Sequence, residues 1–102
     1  MATDDSDAWP ELPTLPAGTE SWQRSRANGA PTQVAFVNNR SAPVTVSWLN
    51  GEGKLVEYRT LGGGQRYVQQ TYVGHLWAVS TFAGPVIVGF QAAEAPGRAV
   101  IR

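Results

Sequence analysis

The chain has 102 residues, 42% of them hydrophobic, with eight basic and eight acidic side chains and no cysteine. That is one domain's worth of chain with enough apolar material for a core, and the lack of thiols excludes disulfides and thiolate metal sites. A net charge of zero without a Lys/Arg cluster argues against nucleic acid as a partner.

The charge is unevenly spread. Asp4, Asp5, Asp7, Glu11 and Glu20 put −5 on the first twenty residues, and the remainder carries +5. The start, Met1 to Asp7, is the reverse of a basic-then-apolar leader. No apolar run approaches the roughly 18 residues of a membrane span. The expectation is a soluble chain with no leader and no membrane partner, its compartment left open.

Residues 1–31 hold Pro10, Pro13, Pro16 and Pro31 and show neither helical nor strand periodicity. They read as a tail or extended arm. Trp9 and Trp22 argue that parts of this arm lie on the surface of the folded domain. The division expected is an acidic, proline-rich arm over 1–22 and a folded domain over 23–102.

From Thr32 the pattern changes. Gln33 to Val37 alternates, with Val34 and Phe36 on one face. Asn38 to Ser41 is turn chemistry. Val44 to Leu49 is a second strand, with Val44, Val46 and Trp48 sharing a face. Asn50-Gly51 marks a two-residue hairpin or a longer loop ending at Gly53. Leu55 to Thr60 is a third strand, and Gly62, Gly63 and Gly64 break the chain. Gln65 to Thr71, His75 to Thr81, Pro85 to Phe90 and Arg98 to Arg102 complete about seven short strands. Turn signals every 8–12 residues make this an all-β chain, a sandwich or barrel, with no helix.

Catalytic chemistry is thin. His75 is the single histidine, so any Ser-His-Asp arrangement must use it, and no nucleophile-elbow pattern surrounds Ser41, Ser47 or Ser80. Glu52, Glu57 and Glu94 are scattered and give neither an acid–base pair nor metal-ligand spacing. The triple glycine has no following Lys-Ser/Thr, so it is not a phosphate loop. No enzyme, cofactor or metal is expected.

The informative stretch runs from Trp48 to Trp77 and contains Tyr58, Tyr67, Thr71, Tyr72 and His75. His75 and Trp77 lie two apart and share a strand face. Thr71, just before the turn, is expected to meet His75 across a hairpin. Trp48 and Tyr58 come from neighbouring strands. Two readings stay open on pattern alone. Large aromatics usually pack inside, which makes these residues core. Alternatively they form an aromatic box around a hydroxyl and an imidazole, suited to a small cyclic group with one polar substituent.

Tyr58-Arg-Thr-Leu-Gly-Gly-Gly-Gln-Arg-Tyr-Val-Gln-Gln-Thr-Tyr-Val-Gly-His-Leu-Trp77 resembles the central segment of the von Hippel–Lindau β-domain family. Arg24-Ser25, Pro31, Gln33 to Asn38 and Trp48-Leu49-Asn50 continue the likeness upstream without a gap. The resemblance covers residues 23–82 well and 83–102 loosely. It implies a β-sandwich that binds 4-hydroxyproline within an extended peptide. By that likeness Trp48, Tyr58 and Trp77 form apolar walls, Thr71 (a serine in the animal member) and His75 bond the hydroxyl, and Tyr72 touches the peptide beside the pocket. This favours the box over the core reading.

Departures are clear too. Gln70 stands for a histidine and Tyr67 for an arginine beside the pocket, and Ala27 and Gly29 replace polar residues that meet the peptide. A different peptide preference is implied. The likeness covers the family's β-domain without its helical domain, so a ubiquitin-ligase adaptor role is not expected. The competing expectation is a structural or protein-interaction sandwich whose pocket is vestigial or binds another small group such as a sugar.

Overall fold

A computed structural model describes residues 5–19, 22 and 29–102. Seven strands follow a short 3-10 turn, Asp5–Ala8: β1 Pro31–Asn38, β2 Val44–Leu49, β3 Leu55–Leu61, β4 Arg66–Tyr72, β5 Leu76–Thr81, β6 Val86–Gln91 and β7 Gly97–Ile101. They form a sandwich of two sheets, ordered β4-β1-β7 and β3-β2-β5-β6. The pairings are antiparallel except β1 with β7, which run parallel.

Alternation decides which side chains go inside. Val34 and Phe36 of β1, Val44 and Val46 of β2, Trp77 and Val79 of β5, Phe90 of β6, and Ala99 and Ile101 of β7 are buried in one cluster. Phe36 is its centre, with rings of Tyr67, Trp77 and Phe90 at 5.7, 5.8 and 6.4 Å.

Only β2–β3 and β5–β6 are hairpins within a sheet; the other connections change sheets. The β2–β3 turn takes the longer of its two expected forms. Asn50 Oδ1 accepts from Glu52 N and Lys54 N, each at 2.9 Å, and Asn50 N donates to Lys54 O. This asparagine side chain replaces the backbone bonds that a two-residue turn would close.

The β4–β5 link corrects the expected hairpin between Thr71 and His75. β4 lies in one sheet and β5 in the other, so Val73-Gly74-His75 is a sandwich corner. Gly74 has φ 91°, a region open to glycine and strained for other residues. Its N–H donates to Ala92 O, and Ala92 N donates to His75 O, both at 2.9 Å. Alternation specifies faces but not sheet membership, so sequence spacing could not separate hairpin from corner.

The arm lies against the sandwich. Leu12 is buried in the core cluster, a role its proline-flanked setting hides. Trp22 donates from Nε1 to Pro16 O at 2.9 Å and covers Gly89.

Candidate functional site

β3 and β4 are edge strands of opposite sheets, and an aromatic cleft opens where they face each other. It is lined by Trp48, Tyr58, Gln70, Thr71, Tyr72, His75 and Trp77, with a volume of about 140 Å³. One water needs roughly 10–15 Å³ of such space, so the cleft takes a ring-sized group. All six residues singled out in the sequence meet here. Gln70 joins them as a lining residue.

Each wall has a local cause. Trp48 and Trp77 are direct cross-strand partners on β2 and β5, so they share one face. Tyr58 reaches that face through a bulge: Ser47 pairs with Glu57 and Val46 with Arg59, leaving Tyr58 as the extra residue. A bulge re-aims side chains. Here successive residues both turn toward the opposite sheet. Tyr58 stands edge-on to Trp77 at 5.0 Å, and the Arg59 guanidinium sits 4.3 Å over the Tyr67 ring.

The other sheet supplies Thr71, 4% exposed, opposite Trp77, 2% exposed. Trp77 Nε1 donates to Thr71 Oγ1 at 3.0 Å across the sandwich. That bond fixes the hydroxyl oxygen and leaves its proton available to an acceptor. His75 stacks on Trp48 at 5.3 Å and 22°, and its other neighbour is Tyr72 at 5.4 Å. Tyr58 and Tyr72 are about half exposed and border the opening.

Two nitrogens of lining residues are buried without a hydrogen-bond partner, His75 Nε2 and Trp48 Nε1. Buried polar atoms are nearly always satisfied, and an orphan costs about 1–3 kcal/mol. Both orphans belong to side chains that line the cleft.

The family model for the VHL beta domain matches residues 23–83, more than half the chain and every residue of the cleft. The chain belongs to the VHL beta domain family. This is a family of protein-binding, non-enzymatic domains, and the chain is a protein-interaction module. No curated protein matches it in a sequence search. Among the described residues no helix is long and apolar enough to cross a membrane.

Against the VHL beta domain pattern, the departures divide by position. Gln70 lines the cleft. Tyr67 does not; it stacks on Phe36, and burial pushes its phenol up to about 12. Gly29 lies against the β4–β5 corner, where a Cβ would meet Val73 O at 1.9 Å. Backbone crowding explains that glycine. Ala27, Arg24 and Ser25 lie outside the described residues.

Proposed function

We infer that this VHL beta domain binds an extended protein segment bearing 4-hydroxyproline, the ring held by Trp48, Tyr58 and Trp77. One observation carries the reading: His75, whose Nε2 is buried without a partner, and Thr71 line the same aromatic cleft. A ligand hydroxyl accepts one hydrogen bond and donates another. Thr71, its oxygen already occupied by Trp77 Nε1, has a proton to give. The imidazole, in its neutral form with Nε2 unprotonated, has a lone pair to receive one. Tyr72 beside the opening offers a surface to the neighbouring peptide residue.

Discrimination then rests on satisfaction. Plain proline fills the same space but leaves the polar groups unpaired, at about 1–3 kcal/mol each. Each 1.4 kcal/mol is tenfold in affinity, so hydroxylation is expected to strengthen binding by at least tenfold.

Calorimetric titration of matched peptides, with 4-hydroxyproline or proline at one position and varied flanks, tests this. The hydroxylated member of at least one pair should bind at least tenfold tighter. In His75→Ala both members should converge on one weak affinity. Absence of any preference across the panel, or equal loss for both members in His75→Ala, would reject the reading.

A further inference from the structure

The arm crosses from one sheet to the other along the side of the sandwich away from the cleft. β7 and β6 end the two sheets there. Glu11 bridges Arg98 of β7 in parallel, and Leu15 bridges Gly89 of β6 antiparallel. Leu12 N donates to Arg98 O, and Arg98 N to Pro10 O, both at 2.8 Å. Leu15 and Gly89 exchange N–H···O bonds at 2.7 and 3.0 Å.

Two glycines make recesses in this seam. A Cβ on Gly97 would stand 2.5 Å from Leu12 Cδ2, and one on Gly89 would stand 2.1 Å from Trp22 Cη2. Charge adds to the fit. Glu11 pairs with Arg102 at the end of β7, and Arg98 Nε donates to Trp9 O at 2.7 Å; Asp7 pairs with Arg66 of β4, outside the seam. Between its two anchor points the arm fits loosely. A cavity of about 310 Å³ opens there, lined by Thr14, Ile87, Val88, Val100, Arg40 and Arg102.

These are the parts of a strand-addition groove: open edges for main-chain bonds and recesses for alternate side chains. We propose that the β6–β7 seam is a second peptide-binding groove, filled in cis by residues 10–16, and that its partner in trans is the same arm of a second copy. The occupant is set by complementarity already visible. A proline-flanked segment with leucine over Gly97 and its one acid, Glu11, on Arg102 is what the groove holds. Tethering gives the cis arm an effective concentration on the order of mM, so the native chain stays closed at ordinary concentrations. The inference does not depend on what the aromatic cleft binds.

Complementation between two full-length variants tests it. Leu12→Asp spoils the arm and keeps the groove. Gly97→Leu blocks the groove and keeps the arm. Each alone should sediment as a monomer. Their equimolar mixture should sediment as a heterodimer, at least tenfold tighter than either homodimer. A mixture that sediments as two monomers, both variants retaining near-UV circular dichroism, overturns the proposal. If either variant loses its fold, Glu11→Arg in one copy and Arg102→Glu in the other replace them at exposed positions. The mixture should then dimerise at least threefold more tightly than either variant alone, an advantage lost in high salt. Identical behaviour of mixed and separate samples would overturn it equally.

Discussion

Thr71 answers to two demands at once. Its oxygen accepts the buried Trp77 indole proton, and in the proposed complex its own proton goes to the ligand. Thr71→Val keeps the shape and removes both. The indole N–H is left buried without an acceptor, so the folded state should lose about 1–3 kcal/mol, read by urea denaturation. Preference for the hydroxylated peptide should fall in the same variant. Thr71→Ser keeps the oxygen and should preserve both properties. A Thr71→Val domain as stable as the wild type would show that the cross-sheet bond contributes nothing. At this scale six of the seven cleft residues were legible through the family likeness, because their side chains are identical or chemically equivalent to the family's; Gln70, a departure, was read only as flanking. The unpaired His75 nitrogen was not, since satisfaction depends on every neighbouring atom. Tyr67, read as flanking the pocket, instead joins the core through Phe36.

Elements were legible where period and turn chemistry agree. All seven strands stand close to where alternation puts them, for example Val44–Leu49 with Val44 and Val46 fully buried. The arm was legible as extended, but not its seat, because two isolated bridges and one buried leucine leave no periodic trace. Its attachment should respond to acid. The hydrogen bond from Arg102 holds the Glu11 carboxyl below its ordinary value of 4.5. A depressed carboxylate binds its proton less readily in the attached state than in the released one. Its contribution is therefore present above 4.5 and lost as pH falls through the lowered value. Amide exchange measured from pH 6 down to pH 3 should show Leu12 and Leu15 losing protection relative to β1 and β5. Glu11→Gln should flatten that loss. Arm protection that tracks the core at every pH would count against the latch.

How the two sheets are tied into one molecule was the least legible feature, because it rests on a residue that reads as a turn. Asn38 ends β1 and is fully buried. Its Nδ2 donates to Ala42 O, Leu61 O and Gly62 O at 3.0, 3.0 and 3.1 Å, and its Oδ1 accepts from Arg40 N at 3.0 Å. Its backbone adds bonds to Gln65 and Gly64. One amide thus joins β1 of the first sheet to the chain entering β2 and to the end of β3 in the second. The aromatic cleft spans the same two sheets, with Thr71 on one and Trp77 on the other, so its width depends on how they are held. Asn38→Leu approximates the shape but takes a partner from the buried Leu61 O, at about 1–3 kcal/mol, and from the part-buried Ala42 O, Gly62 O and Arg40 N, which cost less. A domain of this size is stabilised by roughly 5–15 kcal/mol in all. The variant should therefore lose a large share of its stability in urea, and Trp77 exposure should rise before global unfolding, detected by iodide quenching. Asn38→Asp keeps the acceptor and removes the Nδ2 donors, so it should be destabilised nearly as much. If Asn38→Leu unfolds at the wild-type urea midpoint, the sheets are held by the Phe36 cluster alone, and the cleft's width is set by core packing instead of this amide.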